Sequence, residues 1–434
     1  MRTGLLRLTL ITFAIVLITV SVAAESATLT VSADKEGCGV KLDDKDVGIT
    51  PIVVSLPPGT HKIAVTEAEG KGKLEESIEL KVGERVIAYA EFEAKKVSLF
   101  RTDKEITEFV TKAANIVKFH EYYKQAQEYY GKKKLDWALE AMKRAVSYYE
   151  DKAAMDLLIK WRMERLPPNF VYMRGGKYLM GQATKTFTDD YRQFPQHPVV
   201  VSDFAIGKYE ITNEDFAKFI DATGYSTTAE IRGSIAVYDR KTNAWVFIPG
   251  GSWKFPKGPK DAGVKGKEKN PVCQVSYTDT EAYCRWRSVS EGLPPSVIRL
   301  PTEAEWEYTC VGTANRTFPW GEVSPFKDKT VSVVDETWHS KVGSREKGKT
   351  PDGIYDLIGN VWEWCSDRGD DAYYKECLDK GTVTDPLGPP IGDLRTVRGG
   401  GFDSDDESAR PTKRFFMLPD NCAWNVGFRV VFSF

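Results

Sequence analysis

Residues Gly353–Asp367 read Gly-Ile-Tyr-Asp-Leu-Ile-Gly-Asn-Val-Trp-Glu-Trp-Cys-Ser-Asp, and this stretch decides the fold. Its apolar residues are too dense for one face of a helix, and they do not alternate as in a half-buried strand. Gly359 interrupts the run. The pattern predicts an irregular, largely buried loop, whose backbone amides and carbonyls must find partners inside the protein.

The same stretch contains oxygen ligands suited to a hard cation such as calcium. Asp356 and Glu363 could supply carboxylate oxygens, and the turn at 359–361 could direct carbonyls towards the same point. The two carboxylates could equally accept hydrogen bonds from loop amides alone. The residues by themselves leave both interpretations open.

Length and composition bound the class of protein. A chain of 434 residues has room for two or three domains. With 41% hydrophobic and 28% charged residues it has an ordinary globular composition, and a formal net charge of -2 predicts neither nucleic acid nor an anionic membrane as partner. Seven cysteines and four histidines show no zinc-type spacing. In an exported chain, the odd number of cysteines would leave at least one thiol unpaired or bridged to another molecule.

The N-terminus has the order of a secretory signal. Arg2 and Arg7 precede an apolar run at 8–22, and small residues follow. Residues 1–24 are therefore predicted to be a signal peptide cleaved after Val22-Ala23-Ala24, which places the protein in the periplasm or outside the cell. The alternative is an uncleaved anchor, although the run is shorter than the roughly 20 residues that a spanning helix needs. No other segment is long and apolar enough to span a membrane.

Residues 27–95 predict a small β-sandwich, because short alternating segments are separated by turn residues. Val47-Gly-Ile-Thr-Pro51 and Leu56-Pro-Pro-Gly-Thr-His61 resemble the PEGA domain. That resemblance implies an extracytoplasmic accessory module without catalysis of its own. A generic β-spacer is the alternative.

Residues 97–166 predict a helical connector. Ile106, Phe109 and Val110 mark a first apolar stripe, and further stripes follow at 126–130 and 137–149. The stretch from Tyr129 to Ala145 resembles one tetratricopeptide-type hairpin. A single hairpin is too short for a repeat array, so a connector is favoured over a peptide-binding surface.

Helix and strand signals continue through residues 170–434. Val171–Gly181 predicts strand, turn and strand, and a helix is predicted from Thr212 to Gly224. Capping boxes starting at Thr278 and Thr302 predict two more helices, since each hydroxyl has a glutamate three residues later.

Several long motifs in this region resemble the formylglycine-generating enzyme (sulfatase-modifying factor) family. The resemblance implies an α+β fold related to C-type lectin-like domains for residues 170–434, with little regular secondary structure. Besides Gly353–Asp367, the motifs are Glu210-Ile-Thr-Asn213, Arg299-Leu-Pro-Thr-Glu-Ala-Glu-Trp-Glu-Tyr308, Phe318-Pro-Trp-Gly321, Val397-Arg-Gly-Gly400 and Gly427-Phe-Arg429.

The resemblance also implies a structural calcium ion. The family's ligands are a side-chain oxygen, two backbone carbonyls and a glutamate. Those roles fall here on Asp356, Gly359, Val361 and Glu363.

The family's copper chemistry lacks its ligands in this chain. In the family, two cysteines shortly after the Arg-Gly-Gly motif bind Cu(I) and oxidise a substrate cysteine to formylglycine. Ser404 and Ala409 occupy those two positions, and none of the seven cysteines lies between Cys377 and Cys422. A hydroxyl is a poor ligand for soft Cu(I) and a methyl is none. Copper binding and formylglycine synthesis are therefore not expected, and no catalytic residue is predicted.

The loop around these positions is acidic, and it has two interpretations. Asp403, Ser404, Asp405 and Glu407 could form a cleft for a hard cation or a cationic ligand. Alternatively, the loop is solvated and its charges pair with nearby arginines. This second interpretation is favoured. Those arginines are Arg395, Arg398, Arg410 and Arg414.

The family's disulfides are not expected in their usual form. Cys284 and Cys310 stand at positions that are bridged in some members, but the partner positions hold Arg414 and Val430. Other pairings stay open, with Cys365, Cys377 and Cys422 as partners.

Together these observations predict an exported, non-oxidase member of the family that acts as a binding or assembly module of the bacterial envelope. Its partner would be an envelope protein or a glycan. One alternative is an enzyme of altered chemistry that uses Asp403, Asp405 and Glu407 as acid and base groups. Another is a formylglycine-generating oxidase that acts on sulfatases.

Overall fold

A computed structural model describes residues 26–434 except 36, 69, 93, 184–190 and 240–243. The chain divides into two compact units, one ending at Arg165 and the other comprising Leu166–Phe434. The signal segment predicted at 1–24 lies outside the described residues. Among the described helices, none combines the length and the apolar character that a membrane crossing requires.

The first unit begins with eight strands in two four-stranded sheets. The sheet orders are β4-β1-β7-β8 and β3-β2-β5-β6, and apolar side chains of both sheets share one core that includes Leu29, Val31, Ile63 and Ile78. The strands are β1 (Ala27–Ala33), β2 (Gly39–Leu42), β3 (Lys45–Ile49), β4 (Ile52–Leu56), β5 (Gly59–Thr66), β6 (Lys73–Leu80), β7 (Arg85–Glu91) and β8 (Lys96–Phe100).

Strand β8 corrects the predicted start of the helical connector at residue 97. Residues 96–100 pair antiparallel with β7, so they complete a sheet instead of opening a helix. Helix α1 (Asp103–Gly131) starts only after Thr102, which forms a capping box with Glu105. The first two predicted apolar stripes thus belong to one 29-residue helix.

Helices α2 (Leu135–Tyr148) and α3 (Lys152–Arg165) follow α1 and share a core with it. The stripe predicted in α2 is its buried face, because Ala138, Met142 and Ala145 are fully enclosed. Helix α3 was not predicted as an element separate from α2. Its Trp161 is buried and stacks on Tyr130 with ring centroids 4.4 Å apart.

The second unit combines short strands with short helices, so the predicted α+β class is confirmed. Its sheets have the orders β10-β11-β17, β15-β21-β12-β9, β13-β14 and β19-β18-β16-β20. The strands are β9 (Phe170–Met173), β10 (Gly176–Met180), β11 (His197–Val201), β12 (Phe204–Gly207), β13 (Ser234–Asp239), β14 (Ala244–Pro249), β15 (Ile298–Arg299), β16 (Trp362–Arg368), β17 (Val383–Thr384), β18 (Arg395–Arg398), β19 (Arg414–Met417), β20 (Val426–Gly427) and β21 (Val431–Ser433).

The observed helix ends of this unit agree with two of the three predicted ones. The helix predicted from Thr212 ends at Gly224 as expected, and Thr302 caps its helix as predicted. The cap predicted at Thr278 is wrong, because Ser276 forms the capping box with Asp279 and the helix begins at Tyr277. The helices are α4 (Asn213–Thr223), α5 (Thr228–Arg232), α6 (Tyr277–Ser290), α7 (Glu303–Val311) and α8 (Tyr373–Lys380), with 3-10 turns at Tyr191–Gln193 and Glu346–Gly348.

The stretch Gly353–Asp367 is a loop only in its first part. Residues 353–361 are irregular and mostly buried, as predicted, whereas β16 begins at Trp362. This strand lies between β18 and β20. Trp364 and Cys365 are buried although they point to opposite faces, so the alternation that marks a half-buried strand is missing.

All seven cysteines are buried and free, so none of the disulfides left open by the sequence is present. The thiols are dispersed through separate cores. Cys38 lies in the sandwich core, Cys284 in one core of the second unit, and Cys310 and Cys365 in another.

Candidate functional site

The stretch 353–363, a loop that leads into β16, holds the side chains predicted to bind calcium. Asp356 has a left-handed backbone (φ 57°), and its Oδ2 accepts a hydrogen bond from the Gly343 amide at 2.6 Å. Gly359 (φ 82°) can only be glycine, since an added Cβ would lie 2.4 Å from Ser332 Oγ and from the Val333 carbonyl oxygen. Contacts with Ser332, Val333 and Gly343 therefore fix the backbone conformation of this loop.

Glu363 forms an ion pair that the sequence analysis missed. Its carboxylate accepts two hydrogen bonds from Arg429, each at 2.6 Å, and one from Trp306 Nε1 at 2.8 Å. Arg429 also donates to the carbonyls of Gly207 and Tyr355. Both charged groups are fully buried, so the pair joins β16 to the C-terminal segment inside the core.

Glu210 is a third buried carboxylate near this loop. It accepts hydrogen bonds from Asn360 Nδ2 at 2.6 Å and from the Val361 amide at 3.2 Å. Burial, reinforced by the charges of Asp356 and Glu363, raises the pKa of Glu210 well above its usual value. Burial likewise raises the pKa of Asp356 to about 6. The only sequence signal for Glu210 was its place at the head of the Glu210–Asn213 motif.

The chemistry of this donor set fits a hard cation. Three carboxylates that influence one another share one guanidinium, that of Arg429. No N–H or O–H of a described residue donates to the carbonyl oxygens of Gly359 and Val361, although both residues are buried. Within the described ranges, no three His, Cys, Asp or Glu side chains could hold a metal by themselves, so a calcium ion here would depend on those carbonyls.

The two positions that correspond to the family's copper ligands are built into the 403–410 loop. Ser404 Oγ accepts a hydrogen bond from the Gly401 amide at 2.9 Å. The Ala409 amide donates to the Asp405 carbonyl at 3.0 Å, and its methyl group is buried. Both residues thus stabilise the turn, and neither offers sulfur.

The acids of this loop do not converge on one point. Asp403 accepts from Asn425 Nδ2 at 3.1 and 3.2 Å, whereas Asp405 accepts from the Ser408 amide at 2.9 Å. Partial burial would raise the pKa of Asp405, but hydrogen bonds from Ser408 outweigh it and lower the pKa. Asp405 and Glu407 are solvent-exposed. The acids therefore act as separate turn-stabilising or solvated groups.

Two of the arginines expected to pair with those acids pair elsewhere. Arg414 binds Glu303 through Nε and Nη2 at 2.6 and 2.8 Å, while Arg398 contacts Glu303 at 3.3 Å and forms a close ion pair with Glu307. Arg398 also donates to three carbonyls of the chain segment that follows the loop, which is 411–413. The arginines therefore anchor this segment to α7.

A groove of about 800 Å³ adjoins the same segment, and we call it the aromatic groove. Ser408 and Lys413 line it, next to apolar residues of β14, β16, β18 and β19. Among the residues that the structure describes, its lining includes three cations and no carboxylate. The cations are Arg192, Arg232 and Lys413, and the aromatic residues are Phe247, Trp362, Phe415 and Phe416. Sequence reasoning missed this groove because its walls are far apart in the chain.

Comparison with known proteins defines the class to which this fold and site belong. Residues 158–434 match the sulfatase-modifying factor enzyme 1-like domain, and residues 26–96 match the PEGA domain. Because the first match spans most of the chain, the protein belongs to the sulfatase-modifying factor family.

Two curated relatives have opposite descriptions. The formylglycine-generating enzyme of Streptomyces coelicolor is 33% identical over 291 residues, which are 60% of this chain and 87% of that protein. The inactive C-alpha-formylglycine-generating enzyme 2 of Mus musculus is 31% identical over 301 residues, 61% of this chain and 86% of that protein. Among solved structures, PvdO from Pseudomonas aeruginosa is 22% identical with a TM-score of 0.47, covering 61% of this chain and 94% of that one.

Proposed function

We propose that this chain is an exported member of the family that does not oxidise cysteine and that acts as a binding or assembly module of the cell envelope. The observation that carries the proposal is the absence of sulfur at the two family positions, Ser404 and Ala409. Cu(I) needs soft ligands, and the nearby hydroxyl is a turn-stabilising acceptor. The partner would be an envelope protein or a glycan.

Family membership alone does not decide between oxidase and non-oxidase. Relatives of nearly equal identity include one named as an enzyme and one named as inactive. An enzyme of altered chemistry is the second candidate, but its acid and base groups would be Asp403, Asp405 and Glu407, which do not face one another. The signal-like N-terminus and the PEGA match support export.

We expect no aldehyde when the protein is incubated with Cu(I), O₂ and a Cys-x-Pro-x-Arg peptide, because nothing holds the metal beside the substrate thiol. The product would be detected by mass spectrometry and hydrazide capture. The Streptomyces coelicolor relative serves as the positive control. An aldehyde yield within tenfold of that control would contradict the non-oxidase proposal.

We also propose that the segment 356–363 binds a structural calcium ion through Asp356, Glu363 and the carbonyls of Gly359 and Val361. A divalent cation would relieve the repulsion among the buried carboxylates, so removing it with excess chelator should lower the melting temperature. Asp356→Ala should abolish that response, whereas Asp405→Ala, in the exposed acidic loop, should preserve it. A melting curve that is identical with and without chelator would exclude the calcium site.

A further inference from the structure

His61 lies at the corner where the chain passes from one sheet of the N-terminal sandwich to the other. Strand β4 belongs to the sheet β4-β1-β7-β8, and β5 belongs to the sheet β3-β2-β5-β6. His61 is in β5, on the same side of the strand as the buried Ile63 and Val65, and it is only 8% exposed. An ionisable ring therefore lies at the edge of the core, where a polar atom without a partner is costly.

Both ring nitrogens of His61 face oxygen atoms that can only accept hydrogen bonds. Nδ1 lies 2.7 Å from Oδ2 of Asp43, and Nε2 lies 2.9 Å from the carbonyl oxygen of Pro57. A neutral imidazole has one N–H and one lone pair, so it can donate to only one of these oxygens. The imidazolium ion has two N–H groups and satisfies both. The geometry therefore requires one proton more than a neutral ring carries.

The two acceptors belong to different parts of the sandwich. Asp43 lies in the turn between β2 and β3, where its Oδ1 accepts a hydrogen bond from the Lys62 amide at 2.8 Å. Pro57 follows β4 directly. Hydrogen bonds from the Lys62 amide and from His61 lower the pKa of Asp43, so this carboxyl group is an ionised acceptor. The protonated ring thus connects the β2–β3 turn to the end of β4.

The charges around His61 favour its protonated form. The hydrogen bond with Asp43 outweighs burial and raises the pKa of His61 above its ordinary value. Among the described residues, Asp43 is the only charged group that contributes to this shift. The other charged residues closest to His61 in the strand register are Asp44, Lys45, Lys62, Glu76 and Glu79.

We propose that His61 is a pH-sensitive link between the two sheets of the sandwich. With a proton on each nitrogen it donates to both Asp43 and Pro57, and when one proton leaves for solvent one of these hydrogen bonds is lost. The corner between β4 and β5 then opens more readily. The link lies in the first unit, so the inference goes beyond the binding function proposed above and does not depend on it.

The direction of the pH effect follows from the two states of the chain. A histidine in an unfolded chain has a pKa of about 6.5. Because the folded protein holds the proton of His61 to higher pH, the stabilisation is complete below that value. It is lost as the pH rises through the folded pKa.

The test uses the full-length chain with isotope-labelled histidine, and the loss of one signal in His61→Gln assigns the NMR resonance of His61. We expect its titration midpoint to lie above that of the same chain unfolded in urea. Hydrogen-exchange mass spectrometry, corrected for intrinsic rates, should show that protection of the β5 amides falls between pH 5 and pH 9. Each unit of difference between the two midpoints predicts a loss of protection of about tenfold.

Three variants separate the link from other causes. Asp43→Asn keeps an acceptor for the Lys62 amide and suits the left-handed backbone at this position (φ 49°), but it removes the charge. It should lower the His61 midpoint and reduce the loss of protection. His61→Gln should remove that loss. His120→Gln is the matched control, because it removes the other histidine of the first unit, in α1, and should change neither measurement.

A His61 midpoint at or below the value of the unfolded chain would overturn the inference. An equal loss of protection in the parent and in His61→Gln would do so as well. If His61→Gln does not fold, the midpoints of the parent and of Asp43→Asn decide, and equal midpoints reject the link. The aldehyde and chelator assays report on the second unit, so they are unaffected by either outcome.

Discussion

Replacing Glu303 with glutamine is expected to destabilise the second unit by about 3–5 kcal/mol, the usual cost of leaving a buried charge without its partner. Glu303 is 2% exposed, and both arginines that share its carboxylate, Arg398 and Arg414, are fully buried. Burial alone would raise the pKa of Glu303, but Arg414 and Arg398 hold it below its usual value. The carboxylate is thus ionised, and its loss leaves Arg414 without a bidentate partner.

Urea titration of the full chain measures this loss, with hydrogen exchange at the α7 amides to assign the transition to the second unit. Asp379→Asn is the control, because it breaks a salt bridge in which both side chains are more than 60% exposed. Such a pair contributes at most about 1 kcal/mol. A Glu303→Gln variant that unfolds within 1 kcal/mol of the parent would show that the network is not a stability element.

A double variant distinguishes charge from packing. Glu303→Gln combined with Arg414→Met removes both members of the bidentate pair, and Arg398 keeps its ion pair with Glu307. We expect it to be more stable than Glu303→Gln alone, because neutral replacements of buried pairs are tolerated better than single deletions.

The sequence predicted the elements whose signals are local. Thr302 and Gly224 mark helix ends through side-chain and backbone geometry that depends on a few adjacent residues. The error at Thr278 has the same origin, since Ser276 offers an equivalent capping box two residues earlier. In the fold the Ser276 hydroxyl also lies 2.7 Å from the Thr228 hydroxyl, a contact between distant parts of the chain that no local pattern contains.

The candidate site was predictable only where its residues are neighbours in the chain. Asp356 and Glu363 lie in one short stretch of the chain, so the sequence could place their oxygens together. Arg429 reaches Glu363 from 66 positions away, and Glu210 reaches Asn360 from 150 positions away. No periodicity encodes such pairs. The aromatic groove could not be predicted for the same reason, since its residues extend from Arg192 to Val426 in the chain.

The second large effect is a pH dependence that originates at Asp367. This residue is 2% exposed, and burial together with the charge of Glu303 raises its pKa to about 7. In the unfolded chain an aspartate has a pKa of about 3.9. Between these values the folded state holds a proton that the unfolded state lacks, so stability falls as pH rises from 4 to 7 and levels off above. The difference between these two pKa values corresponds to about 4 kcal/mol of stability as an upper bound.

Asp367→Asn should therefore raise stability by at most about 1 kcal/mol at pH 4.5 and by about 2–4 kcal/mol at pH 8, relative to the parent chain. The asparagine oxygen can still accept the hydrogen bonds that Asp367 Oδ2 receives from the Glu303 amide at 2.8 Å and from Ser366 Oγ at 3.2 Å. Urea midpoints at the two pH values measure the difference, with Asp379→Asn as the exposed control. If the gain were the same at both pH values, its cause would be packing or hydrogen bonding, and Asp367 would be ionised in the folded protein at pH 4.5 as well as at pH 8.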